Sequence, residues 1–210
     1  MGQVKSEDKR GRRAKETRRR MLEAARELFV QRGYGATALQ EIADRAGVAV
    51  QTIYFTFGTK RALLKELADV SIAGDDEPIA TMDRPWFQQS LAAETADAQL
   101  RLHVRATRGI LDRVAPIIEM LRAAASADPA IADLWDRDTD PRFTVHAAAA
   151  RSLVTKPGIR DGVTAEHAAD LLFSLLSPEL YLLLVRDRGW SPDEWERWSC
   201  ATLSSQLCSG

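Results

Sequence analysis

Apolar positions along this 210-residue chain recur at three- and four-residue spacing and nowhere alternate for long, so the pattern predicts helices throughout. Met21, Leu22, Ala25, Leu28 and Phe29 make one stripe on a first helix expected from about Ala14 to Arg32, which Gly33 ends. Thr37 with Gln40 three residues later reads as the start of a second helix, whose inward face is Leu39, Ile42, Ala43 and Ala46. Gly47 closes it, and after Val48 and Ala49 a third helix is expected from Val50 to about Phe55. A fourth begins at Thr59 or Lys60 and carries Leu63, Leu64 and Leu67 to about Ala73.

The turn-rich, acidic stretch Gly74–Pro85 divides the chain into an N-terminal part, 1–73, and a C-terminal part, 74–210. In the second part the pattern predicts helices at Trp86–Ser90, Ala96–Val114, Pro116–Ala127, Pro129–Asp136 and Pro141–Leu153. Thr164 caps a long helix reaching Arg188 with a kink near Pro178, and Ser191, Pro192 and Glu194 open the last one. Leu172, Leu176, Leu180, Leu183 and Leu184, with Trp195, Trp198 and Leu203, offer an apolar surface that suits a homodimer interface of four helices, with packing inside the subunit as the alternative.

The net charge of −1 hides a split: residues 1–73 carry 15 Lys and Arg against 9 Asp and Glu, and the remainder reverses that balance. A basic cluster containing Arg12, Arg13, Lys15 and Arg18 marks a polyanion-binding end or a solvated tail. No apolar run approaches the roughly 18 residues of a bilayer span. The basic N-terminus has no apolar segment behind it, so a secretory signal is not expected. Cys200 and Cys208 lie too far apart on one helix for a disulfide and have no metal-ligand spacing, so reduced thiols, no metal and a cytoplasmic location are expected. No Gly-rich phosphate loop, G-x-S-x-G, H-E-x-x-H or Cys-x-x-Cys is present, which argues against an enzyme and names no cofactor.

Two short helices joined by a glycine turn form a helix-turn-helix, whose second helix presents its first residues to the major groove. Here those are Val50, Gln51 and Thr52. Gln51 can donate and accept as adenine requires, Val50 offers methyls to thymine, and Thr52 serves a base or a phosphate. Ile53 and Phe57 face the bundle, whereas Tyr54, Thr56 and Lys60 are placed for phosphates and Phe55 for support or an exposed contact.

The stretch "ATALQEIADRAGVAVQTIYFTFGTKRALLKEL" closely resembles the N-terminal DNA-binding domain of the TetR (tetracycline-repressor-like) regulators. The matching positions are Thr37, Ile42, Ala43, Ala46, Gly47, Val48, Thr52, Ile53, Tyr54, Phe57, Lys60 and Leu63, within residues 17–68. Ala49 stands where the family often has a capping Ser or Thr, Val50-Gln51 replaces its common pairs, and Thr56 replaces a frequent His. The resemblance implies an all-α chain with an N-terminal three-helix helix-turn-helix DNA-binding domain and a C-terminal helical ligand-binding and dimerisation domain. It further implies a homodimer on double-stranded DNA, at a palindromic operator with half-sites about 34 Å apart, released by a small-molecule effector. Thr37 and Ala49 join the expected DNA contacts on this basis. In the C-terminal part Trp86, Phe87, His103, Thr107, Met120, Trp135, Phe143 and His146 are candidates for a pocket lining, each equally compatible with core or surface. A DNA-binding protein without an effector is the competing reading.

Overall fold

The computed structural model describes residues 3–75, 77, 79–127, 131 and 140–209, and among them the regular structure is helical. The helices are α1 (Gln3–Arg32), α2 (Leu39–Ala46), α3 (Val50–Phe57), α4 (Lys60–Ala73), α5 (Pro85–Leu91), α6 (Ala96–Ala127), α7 (Pro141–Leu153), α8 (Ala165–Leu175), α9 (Pro178–Tyr181) and α10 (Pro192–Leu207). The chain falls into two compact units, Met1–Val70 with Met120–Leu134, and Ser71–Glu119 with Trp135–Gly210.

In the first unit the apolar stripes of α1, α2, α3 and α4 are buried where the periodicity places them. Met21, Ala25 and Phe29 of α1, Ile42 and Ala43 of α2, Ile53 of α3 and Leu63 and Leu64 of α4 are all essentially inaccessible. Helix α1 starts at Gln3, well before the expected Ala14. The intervening residues are mostly charged helix formers, which extend a helix without needing an apolar face. Helix α2 starts later than expected. Its N-cap is Ala38, whose N–H donates to Glu41 Oε2 at 2.8 Å, so the Thr37–Gln40 cap is corrected by one residue at each end.

The second unit is built on α6, α7, α8 and α10, with a core of Phe87, Leu100, Leu111, Leu153, Leu172 and Trp195. Alanines on α7 (Ala149, Ala150) and α8 (Ala168, Ala169) let these two helices approach closely. Buried Gln99 ties α6 to α7: its Nε2 donates to Ala149 O at 2.8 Å and its Oε1 accepts from Ser152 Oγ at 3.1 Å. Helix α6 runs through Pro116, where the pattern predicts a break, because the flanking Ala115 and Ile117 are fully buried and packing holds the chain helical. The helix expected over 129–136 lies, apart from Ile131, outside the described residues.

The caps of the last helices follow the sequence closely. Thr164 accepts from His167 N at 3.2 Å, and Ser191 and Glu194 form a reciprocal capping box. Between them the long helix is divided: α8 ends at Leu175, Ser177 caps α9, and Leu182–Asp187 continue as a π-helical segment. By length and composition alone Ala165–Asp187 is apolar enough to cross a membrane, which corrects the expectation that no such run exists. The Ser177–Pro178 break interrupts the continuous helix such a span would need.

Of the residues expected at a dimer interface, Leu172, Leu176, Trp195 and Leu203 are completely covered within this unit's own core, so no surface is left on them for a partner. Leu183 is exposed, and Leu180, Leu184 and Trp198 are half-buried. Cys200 and Cys208 are free and buried, and burial raises both thiol pKa values, that of Cys200 to about 11.

Candidate nucleic-acid interface and ligand cavity

The turn between α2 and α3 is set by Gly47, at φ 66° and ψ 44°, a left-handed conformation that a Cβ would strain. Its N–H reaches Ala43 O and Asp44 O, and Val48 N donates to Ala43 O at 3.0 Å. From α1, Arg20 Nη1 donates to Ala46 O at 3.0 Å, so the last carbonyls of α2 are held both locally and from across the unit. Nothing in the periodicity distinguishes Arg20 from the other members of the basic cluster around it.

Helix α3 follows from an extended Ala49 that offers no side-chain cap. It is anchored by Ile53, fully buried, and by Phe57, whose ring lies 5.6 Å beneath the Arg18 guanidinium. The other side faces out. Gln51, Tyr54, Phe55 and Thr56 are exposed, Phe55 at 93%, while Val50 and Thr52 are half-buried beside them. The spacing of Gln51, Tyr54 and Phe55 puts them on one face of the helix. Thr56 Oγ1 donates to Thr52 O at 2.8 Å, so its hydroxyl is already used within the helix.

Three expected DNA contacts are engaged inside the unit. Thr37 is buried, its hydroxyl donating to Gly33 O at 2.9 Å and Leu28 O at 3.3 Å; it latches the α1–α2 connection. The Lys60 ammonium donates to Tyr34 O and lies 4.2 Å over the Tyr34 ring, and burial lowers its pKa. Arg18 pairs with Glu66 of α4. Arg12 and Arg13 remain exposed on α1, which there is a helix and not a loose arm.

In the second unit a cavity of about 130 Å³ opens between α5, α6 and α7. Helix α6 supplies Thr107, Ile110, Leu111, Val114 and Ile118, which fall on one face by their spacing. Trp86 of α5 and Val145, His146 and Arg142 of α7 complete much of the wall. Trp86, Thr107 and His146 were expected there. Phe87 and His103 are buried behind the wall, where Trp86 packs edge-on to Phe87 at 5.5 Å. Phe143 turns to Phe173 at 5.6 Å and Met120 is buried elsewhere, so neither lines the cavity. Trp135 lies outside the described residues. The aliphatic residues of α6 were missed because their period is that of any core face.

Two features give the cavity polarity. His146 Nδ1 lies 3.0 Å from His103 Nε2, and burial depresses both imidazoles, His103 to about 4, so both are neutral near pH 7. Arg142 is held by Asp140 through contacts of 2.5–3.1 Å and stacks 5.0 Å over Phe173, so its charge is already answered.

Residues 21–67, from the middle of α1 to α4, match the family described as bacterial regulatory proteins, tetR family. That match covers the helix-turn-helix segment, which is similar to the DNA-binding domain of the TetR family. The activator FasR of Mycolicibacterium smegmatis is 40% identical over 70 residues, covering 31% of this chain and 32% of its own. The chain spans about a third or less of the length of the first curated relatives it matches. The solved structures extend the likeness in fold to both units. A Saccharomonospora viridis protein in complex with choline has a TM-score of 0.68 at 22% identity, covering 93% of this chain and 99% of that one. NalD of Pseudomonas aeruginosa, the secondary repressor of the MexAB-OprM multidrug efflux pump, has a TM-score of 0.61 at 20% identity, with coverage of 93% and 98%. In fold, the chain is an N-terminal helix-turn-helix followed by a C-terminal helical part.

Proposed function

We propose that this chain is a TetR-family, homodimeric transcriptional regulator that binds double-stranded DNA at a palindromic operator and is released by a small molecule entering the cavity. The observation that carries the DNA-binding reading is the two-sided α3. Ile53 fixes the helix to its unit, and the opposite face presents Gln51, Tyr54 and Phe55 with no packing role that would explain exposed aromatics. Two such helices related by a two-fold axis would address successive major grooves. Of the residues expected at the interface, Leu180, Leu183, Leu184 and Trp198 remain accessible to a second copy.

The cavity favours an inducible regulator over a DNA-binding protein without an effector, because a concave, mainly apolar space with placed polar groups is what a small ligand needs. Effector release requires only that the ligand favour a form whose recognition helices are misspaced. The family resemblance favours repression, while the FasR relative is an activator, so the sign of regulation belongs to the operator's position. A regulator of this kind acts in the cytoplasm, as no enzyme and with no cofactor.

Selection of genomic fragments with the purified full-length protein tests the reading. It should return a near-palindrome bound by a dimer. Gln51→Ala should relax base preference at one position in each half-site, with a loss of about 1–3 kcal/mol for the preferred base. Recovery of no common sequence, or an unchanged preference in Gln51→Ala, would overturn the groove assignment.

A further inference from the structure

The histidine pair behind the cavity fixes what the cavity can recognise. Two neutral imidazoles joined through His103 Nε2 and His146 Nδ1 share one proton between them. Among the described residues the buried Nδ1 of His103 has no hydrogen-bond partner. A proton there would be an unanswered N–H, whereas a proton on Nε2 leaves only an unused acceptor lone pair on Nδ1 and lets Nε2 donate to His146. His146 Nδ1 is then an acceptor, and its own proton must sit on Nε2. His146 lines the cavity, is 94% buried in the sense that 6% of its surface is accessible, and finds no protein acceptor for that N–H among the described residues.

We propose that the cavity binds an uncharged, mainly apolar molecule of about one ring's size carrying a single small oxygen function, which accepts a hydrogen bond from His146 Nε2. The proposal rests on the reading of this cavity as an effector site and names the class of effector. Its volume of about 130 Å³ is close to the roughly 150 Å³ of a dry cavity known to admit benzene. The aliphatic face of α6 supplies apolar contact along most of the wall. A cation is disfavoured: among the described residues the lining holds no carboxylate, its aromatic rings are Trp86 and the His146 imidazole, and it includes a guanidinium. An anion is disfavoured as well, because Asp140 already occupies Arg142, and a buried carboxylate facing no free cation among the described residues is costly. The cavity therefore differs in chemistry from what a choline-type ligand would require.

The test uses full-length protein with four one-ring probes: phenol, toluene, benzoate and benzyltrimethylammonium. Phenol and toluene differ by a hydroxyl in place of a methyl, so their ratio isolates the hydrogen bond. Replacing both imidazoles, in His103→Leu/His146→Leu, removes both partners and leaves no orphan. Calorimetry should show phenol weakened about fivefold to tenfold in the double variant while toluene changes less than twofold, and neither charged probe should bind as well as phenol to the wild type. A parallel loss of phenol and toluene, tighter binding of either charged probe, or binding of none of the four overturns the proposal. So does a phenol preference that is abolished by Thr107→Val and survives in the double variant. Should the double variant not fold, histidine NMR of the wild type decides: the His146 Nε2–H signal should shift with phenol and not with toluene, and equal or absent shifts overturn the proposal.

Operator binding is followed with the same probes. Phenol that binds without releasing DNA counts against the effector reading and leaves the pocket chemistry standing. Release by a charged probe in the absence of phenol binding does the reverse.

Discussion

The ammonium of Lys60 donates to the carbonyl of Tyr34 and lies 4.2 Å over the Tyr34 ring, joining the start of α4 to the connection between α1 and α2. A lysine at the mouth of a DNA-binding helix reads as a phosphate contact, but this one completes the unit's interior. Lys60→Ala should therefore lower stability by about 1–2 kcal/mol through the lost charged hydrogen bond, or a few degrees in Tm. It should leave the slope of log affinity against log salt unchanged. Arg13→Ala, at an exposed position on α1, should flatten that slope by about one unit if Arg13 neutralises a phosphate. Salt titrations of operator binding with thermal melts compare the two. A flatter slope in Lys60→Ala would show that its ammonium leaves Tyr34 for the backbone of DNA.

Phe55 separates folding from binding. At 93% exposure it contributes almost no buried area, so Phe55→Ala should change stability by less than about 0.5 kcal/mol. Operator affinity should nonetheless fall several-fold, since an exposed ring on the outward face of α3 has apolar contact with thymine methyls or sugars available to it. Denaturant melts and binding isotherms on the same preparation check both halves. An affinity equal to wild type would remove Phe55 from the interface.

Helix α3 begins without a side-chain cap, its Ala49 already in the extended conformation that a capping residue adopts. Ala49→Ser should place a hydroxyl within reach of the free N–H groups of the first turn and stabilise the protein by about 0.5–1 kcal/mol. Thermal melts measure this, and an unchanged or lower Tm would mean that the first-turn N–H groups are already satisfied.

Much of the first unit was legible in the sequence because its signals are local. Gly47 ends α2 by backbone geometry, and Ile53 is inward by helical period alone. What failed there was long-range: the Thr37 hydroxyl goes to carbonyls of Leu28 and Gly33, leaving Glu41 to cap α2, and no local pattern shows that choice. In the second unit, aromatic and histidine residues were selected by type, which found Trp86 and His146. The same criterion had no means of separating Ile110, Leu111 and Val114 from a core face, since a cavity wall and a packed helix share one period. Leu172 and Trp195 show the converse error: an apolar surplus at the end of the chain is partly consumed by its own core.

The histidine pair makes stability depend on pH in a defined window. His103 is fully buried and its pKa is lowered from 6.5 to about 4, and His146 is lowered in the same direction by burial, by His103 and by the Arg142 charge. In the unfolded chain both titrate near 6.5, so between pH 6.5 and about 4 the unfolded state binds more protons than the folded one. Stability is therefore full above pH 6.5 and falls as the pH drops through that window, by about 3 kcal/mol for His103 alone. Below about pH 4 His103 adds no further slope. The His103→Leu/His146→Leu variant should lose this part of the pH dependence and keep whatever the carboxylates contribute. Urea denaturation of both proteins from pH 8 to pH 4 makes the comparison. Equal losses across pH 6.5 to 4 would mean that the imidazoles do not stay neutral in the folded state, and with that the tautomer assigned to His146 would go.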